Sequence, residues 1–297
     1  KTGKVVHDKS WGDGNSQTLH GLTVKDGRLF GTGIDGIPWN SSNTKGGFAV
    51  VYEFDKDANI IDTIKLDVTN DLDNPQDIIS TDNGYVITGV TKGFKTHDSS
   101  LFTNYTQLSK PDSEQPQPGH GEQKQLKINE FEAANLKNGG WTQTDVAVLE
   151  DKSIVAVWSS QGKDGNDYGV SGKILSASGE EITGEFTVNT HTTHNQSNAH
   201  VTALKNGNFA VIWNSIWQEK AGGYNAWGVF GQLFQKNGQK IGDEFQVNTF
   251  TRDNQANPEV AALEDGGFVA SWFSYTQDGS GGGVYAQIFN ANGSQRG

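Results

Sequence analysis

A unit of roughly 55–60 residues recurs about five times along this chain, and such self-similarity restricts it to folds built by stacking one supersecondary unit on the next. Two copies align without a gap. One begins Asn195-Gln196-Ser197-Asn198-Ala199-His200 and passes Asn206-Gly207-Asn208-Phe209 on its way to Trp213. The other begins Asn254-Gln255-Ala256-Asn257-Pro258-Glu259 and passes Asp265-Gly266-Gly267-Phe268 on its way to Trp272. In every copy a polar turn precedes an alternating apolar run: Asp26-Gly27 before Leu29, Asn83-Gly84 before Tyr85, Asp151-Lys152 before Ile154, Asn206-Gly207 before Phe209 and Asp265-Gly266 before Phe268. Turns of this kind supply the positive φ that a tight hairpin needs. A first strand runs into each turn and a second leaves it. A third follows after a longer loop (49–54, 169–174, 228–234, 283–289), and a hairpin leads to a fourth (185–189, 244–248).

The last copy reaches Phe289 and the turn Asn290-Ala291-Asn292-Gly293 and then stops one strand short, whereas Gly3-Lys4-Val5-Val6-His7-Asp8 stands just ahead of the first strand of copy one. This pattern predicts an all-β protein, a five-bladed β-propeller of four-stranded blades closed by an N-terminal strand that completes the last blade. Closure would protect both sheet edges. The expectation is a single domain over 1–297, against the alternatives of a row of hairpin domains or a sandwich. A Pro-rich polar stretch at about 110–121 interrupts the outer hairpin of the second blade and reads as a mobile surface insert.

Composition narrows the function classes. No run approaches the 18 or so apolar residues of a membrane helix, so the chain is not expected to span a membrane. Zero Cys removes disulfides, Cys-based zinc sites and thiol catalysis together. Zero Met and the lack of a leader suggest a mature protein or an excised domain, monomeric as a domain. With 35 acidic against 23 basic residues and a net charge of −12, nucleic acid is disfavoured, because phosphate binding relies on clustered Lys and Arg. A neutral, cationic or metal-bridged ligand fits better. No phosphate-cradling loop, GxSxG elbow or HExxH helix occurs, which excludes an organic cofactor site of those kinds and makes a zinc protease built on His191, His194 and His200 improbable.

The strings Glu244-Phe245-Gln246-Val247-Asn248-Thr249, Asn254-Gln255-Ala256-Asn257-Pro258, Glu264-Asp265-Gly266-Gly267-Phe268-Val269 and Gly283-Val284-Tyr285-Ala286-Gln287 resemble repeats of large secreted bacterial adhesins and hemolysin-type (RTX-like) proteins. The resemblance covers blades three to five, and blades one and two only through the turn pattern. It implies a secreted, extracellular propeller with an adhesive or binding role. The glycine-rich nonapeptide array of the calcium-binding part of that class is absent from this sequence.

One aligned column is not explained by packing. Six residues before each turn, counted from Asp82 in the second copy, stand His20, Gln76, Asp145, His200 and Glu259, one per blade. In a propeller these first strands line the central channel, so five polar side chains would ring one mouth of it. His with carboxylates can hold a divalent cation, with His20, Asp145, His200 and Glu259 as ligands and Gln76 nearby, or can perform acid/base chemistry. The same column would arise from hydrogen bonds to neighbouring blades or to channel water. Mixed nitrogen and oxygen donors suit a transition metal, whereas Lys163-Asp164-Gly165-Asn166-Asp167 and Gln277-Asp278-Gly279-Ser280 offer oxygen atoms to calcium but also read as ordinary turns.

Trp158, Trp213 and Trp272 occupy a second column, matched by Gly33 and Gly89, and read as packing between blades. Trp11, Trp39, Trp217 and Tyr275, with Trp141 and Tyr224, fall instead in loops at the channel-mouth side, where aromatic platforms beside carboxylates and amides suit a sugar ring. Two functions follow. The first is a secreted bacterial module binding a glycan or other cell-surface ligand through Trp11, Trp39, Trp217, Tyr275 and Gln76. The alternative is a polysaccharide-degrading enzyme, hydrolase or lyase, with Asp145 and Glu259 as paired carboxylates beside His20 and His200.

Overall fold

A computed structural model describes residues 16–37, 48–55, 59–65, 74–81, 84–91, 99–106, 128–136, 143–219 and 227–297. The chain divides into two compact units, Lys1–Asn135 and Leu136–Gly297. In the first, β1 (Ser16–Lys25), β2 (Arg28–Ile37), β3 (Phe48–Phe54) and β4 (Ile60–Lys65) form one sheet, and β5 (Asn74–Thr81), β6 (Gly84–Thr91), β7 (Ser99–Thr106) and β8 (Ile128–Leu136) a second. The second unit holds three more sheets. They are β9 (Thr144–Val148), β10 (Ile154–Gln161), β11 (Tyr168–Leu175) and β12 (Phe186–Thr187); then β13 (Gln196–Ala203), β14 (Phe209–Ile216), β15 (Trp227–Phe234) and β16 (Lys240–Gln246); and finally β17 (Gln255–Ala262), β18 (Phe268–Tyr275), β19 (Gly282–Phe289) and β20 (Gln295–Arg296). Each sheet is a four-stranded meander in chain order with antiparallel neighbours. The fold is therefore all-β, a five-bladed β-propeller of four-stranded blades.

The fifth blade is not wholly one strand short, as its sequence suggests. Gln295 and Arg296 pair with Phe289 and Ile288, in the register that Lys240 and Ile241 take against Phe234 and Leu233 one blade earlier. The stretch Gly3–Asp8, expected to complete this blade, and the insert at 110–121 lie outside the described residues.

Within the second unit, neighbouring sheets stack their faces. Val155, Val157, Val170 and Ile174 of blade three meet Phe209, Val211, Trp213 and Phe234 of blade four. Ala210, Ile212, Val229 and Leu233 on the other face of blade four meet Phe268, Trp272 and Phe289 of blade five. Two stacked ring pairs repeat from blade to blade: Phe209 with Phe234 at 5.0 Å, and Phe268 with Phe289 at 4.9 Å. This layering corrects the alternation read from the sequence. β14 is buried on both faces over Phe209–Ser215, because a sheet covers each side of it, whereas β18 alternates between buried and half-buried positions. Trp158, Trp213 and Trp272 are all buried in these layers, as packing predicts. In the first unit Phe30 meets Tyr85 at 4.8 Å across its two sheets, and Val50, Tyr52 and Phe54 form a cluster with Leu29 and Ile60.

Candidate functional site

The polar column coincides with a defect in the first strand of four of the five sheets. The β1–β2 register shifts between Leu19 and Gly21, leaving His20 as the extra residue, and the β5–β6 register shifts between Pro75 and Asp77, leaving Gln76. β13 shifts between Ser197 and His200, and β17 between Ala256 and Glu259. A β-bulge twists its strand and re-aims the side chains around it. In blades four and five the bulge is built on Asn198 and Asn257, with φ of 54° and 52°. Asparagine is among the few residues besides glycine that tolerate this left-handed region. The two bulges are linked by an Asn198 Nδ2 to Asn257 Oδ1 hydrogen bond of 3.4 Å.

Three members of the column belong to the second unit and come together. His200 Nδ1 lies 3.4 Å from Asp145 Oδ2 and 3.4 Å from Glu259 Oε2. The two carboxylate oxygens are therefore no farther apart than twice that distance. The imidazole occupies the space between them. Asp145 is buried, and both of its oxygens accept backbone N–H bonds, Oδ1 from Val146 at 2.8 Å and Oδ2 from Val201 at 2.7 Å. Glu259 is the open member, with 69% of its side chain exposed. Loss of hydration on its crowded side pushes the Glu259 carboxyl above the usual carboxylate value, a shift opposed by His200 and reinforced by Asp145.

The remaining expected residues are distributed as follows. Gln76 is half-buried in β5. His20 holds its place in β1, but its side chain lies outside the described residues, as do Trp11, Trp39, Trp141 and Tyr224. Among the described residues no three His, Asp or Glu side chains have the spacing of a metal site. Trp217 and Tyr275 are exposed at the ends of β14 and β18, Trp217 edge-to-face with His194 at 4.2 Å and Tyr275 with Phe273 at 4.9 Å. Both candidate calcium loops are closed by their own aspartates. Asp164 accepts from Asn166 N and Asn189 Nδ2, and Asp278 accepts from Ser280 N.

Two of the strings that carry the family resemblance, those holding Asn248 and Gln255, form a buried clasp, which sequence reasoning missed. Asn248 Oδ1 accepts the Val229 N–H at 2.8 Å, and its Nδ2 donates to Glu219 Oε1, Phe250 O and Gln255 Oε1. Gln255 Nε2 continues to Arg252 O and Ser274 Oγ. One repeat earlier Asn189 bonds Val170 N, Asp164, His191 O and Gln196, and Gln196 bonds Thr193 O and Ser215. The signal was available as the recurrence of Val-Asn-Thr seven residues before Gln in both repeats.

No family model matches the chain, and no curated protein matches it. Among solved structures it is similar to the GH93 alpha-L-arabinofuranosidase of Fusarium graminearum with arabinobiose, at 11% identity and a TM-score of 0.59 over 93% of this chain and 82% of that one. A protein of unknown function from Dyadobacter fermentans matches at 12% identity and TM-score 0.56, over 94% of this chain and 81% of that one. A thermostable family-43 glycoside hydrolase matches at 10% identity and TM-score 0.51, covering 96% and 94%. At these identities the likeness is one of fold, and the fold it supports is the five-bladed propeller.

Proposed function

We propose that this protein cleaves a neutral glycan, with Glu259 as the proton-transferring carboxyl and the His200–Asp145 pair as its relay. The observation that carries the reading is His200 Nδ1 placed 3.4 Å from both a buried and an open carboxylate. Asp145 is a poor nucleophile here, since both of its oxygens are held by backbone N–H groups; its role is to orient His200. The raised Glu259 carboxyl keeps a proton to higher pH than an ordinary glutamate and can deliver it to a departing glycosidic oxygen, while water adds at the sugar carbon. His200 takes the proton that this water releases and, as imidazolium, passes it to Glu259, which restores the starting state. The net charge of −12 repels polyuronates and favours a neutral substrate and hydrolysis over β-elimination, which needs a uronate. Resemblance in fold to an arabinofuranosidase and a family-43 hydrolase adds support for a carbohydrate substrate. A secreted setting, as the adhesin-like repeats imply, places such an enzyme among extracellular polysaccharides.

The test is reducing-end release from linear arabinan, xylan, mannan and laminarin by the parent, Glu259→Gln and His200→Ala. Turnover by the parent on one of these, lost in Glu259→Gln, is the expected result. A parent silent on all four, or a Glu259→Gln variant as fast as the parent, overturns the proposal. Adding EDTA in parallel separates this relay from a metal centre at His20, Asp145, His200 and Glu259: the relay works unchanged in chelator.

A further inference from the structure

We infer that Trp217 is a stacking platform for a sugar ring at the end of blade four, an arm of the glycan site proposed above, on whose reading it rests. The argument comes from comparing repeats. At the position directly after the second strand, each blade of the second unit has left-handed backbone: Gly162 at φ 72°, Trp217 at 62° and Thr276 at 57°. The same turn is thus made with glycine, with a small polar residue and with the largest side chain available. A bulky residue at positive φ is strained, and glycine meets the requirement without cost. The fold does not ask for tryptophan here.

Nor does the ring repay its placement by burial. Trp217 leaves 43% of its surface exposed. Among the described residues its ring meets His194, itself left-handed at φ 63°, at 89° and 4.2 Å. The corresponding pair one blade later is Asp253 and Thr276, joined by a Thr276 Oγ1 to Asp253 hydrogen bond. An ordinary side-chain bond between the two turns has been replaced by an edge-to-face aromatic pair, and an edge contact leaves an indole face uncovered.

The arm is also pinned immediately beyond the ring. Gln218 Nε2 donates to Glu244, and Glu219 accepts from Gln246 Nε2 at 2.6 Å and Asn248 Nδ2 at 2.5 Å. Glu219 is buried, and Gly228 is the residue that makes room for it, since a Cβ there would fall 2.3 Å from Glu219 Oε1. An exposed ring in contact with His194, on a segment anchored two residues later by this buried carboxylate, is preorganised, which lowers the entropy lost when it binds. The flat apolar face of a pyranose or furanose suits it, with C–H groups against the π-surface. The platform stands at the bulged end of the sheet: Ile216 N bonds Asn195 O, and His200 lies four positions along from Gln196.

Trp217→Thr, which installs the residue of the next repeat, is the test, because that residue is known to fit the turn. Affinity gels containing arabinan, xylan, mannan or laminarin, and quenching of tryptophan emission by the same polymers, are compared for parent, Trp217→Thr and Glu259→Gln. The expected outcome is retardation of the parent in at least one gel, binding about tenfold weaker in Trp217→Thr with an unchanged or raised Tm, and full retardation of Glu259→Gln. Equal retardation of parent and Trp217→Thr overturns the platform while leaving the cleavage proposal intact. A parent retarded by none of the four polymers overturns the platform outright. A Trp217→Thr effect beside undiminished turnover in Glu259→Gln keeps the platform and refutes the relay.

Discussion

Asn248→Ala should cost about 4 kcal/mol of stability, by the removal of one fully buried amide. Asn248 is 2% exposed and serves four partners. Its loss strips the Val229 N–H of an acceptor in the interior of β15, and an orphaned buried donor costs about 1–3 kcal/mol. It also takes one of two donors from the buried Glu219 carboxyl, leaving Gln246, and one acceptor contact from Gln255. Those two losses together add about 2 kcal/mol, charged groups being at the upper end. For a folding unit of this size each kcal/mol moves Tm by about 2–4 °C, so a drop of about 10 °C is expected by calorimetry. The pH dependence provides a second reading. Burial raises the Glu219 carboxyl above its ordinary value of 4.5, so the folded state binds a proton there more readily than the unfolded chain. Stability therefore falls as pH rises through the interval just above 4.5, and the loss of the Asn248 donor, which lowers that value, should widen the interval upward. An Asn248→Ala protein whose Tm stays within about 2 °C of the parent would refute the claim that the clasp joins blades four and five.

Two further outcomes test the site. Asn257→Gly should leave both Tm and turnover near the parent, whereas Asn257→Ala, forced to hold φ of 52°, should lose about 1 kcal/mol and misplace Glu259, seen as a drop in turnover larger than the drop in Tm. In the proposed cleavage Glu259 acts in its protonated form, so the alkaline limb of the pH–rate profile should follow its carboxyl. His200 lowers that value and Asp145 raises it, so in whatever residual activity remains the limb should move to higher pH in His200→Ala and to lower pH in Asp145→Asn; shifts in the same direction would refute the relay.

The repeat was legible because it is written in local rules. Asn206-Gly207 and Asp265-Gly266 announce hairpins through backbone preference alone, and the buried Trp213 and Trp272 follow from their fixed distance to those turns. The column of His20, Gln76, Asp145, His200 and Glu259 was visible for the same reason, although nothing in it revealed that a bulge accompanies it in four of the five sheets. The clasp was missed, because the seven-residue separation of Asn248 and Gln255 gains meaning only when it is folded into a buried bond.

Sequence by itself determined the blade count, the strand order within each sheet and which inward positions correspond from one repeat to the next, since polar turns at a fixed spacing are set over a few residues. Tertiary structure alone decided what those inward positions do. Asp145, His200 and Glu259 lie in three different repeats, and whether an imidazole meets one carboxylate, two or none depends on how sheets stack and where each first strand bulges. The same stacking seals Asp145 and leaves Glu259 open, giving chemically similar residues in equivalent positions different surroundings. Burial and charge proximity are properties of space rather than of chain position, so no reading of a single repeat could supply them.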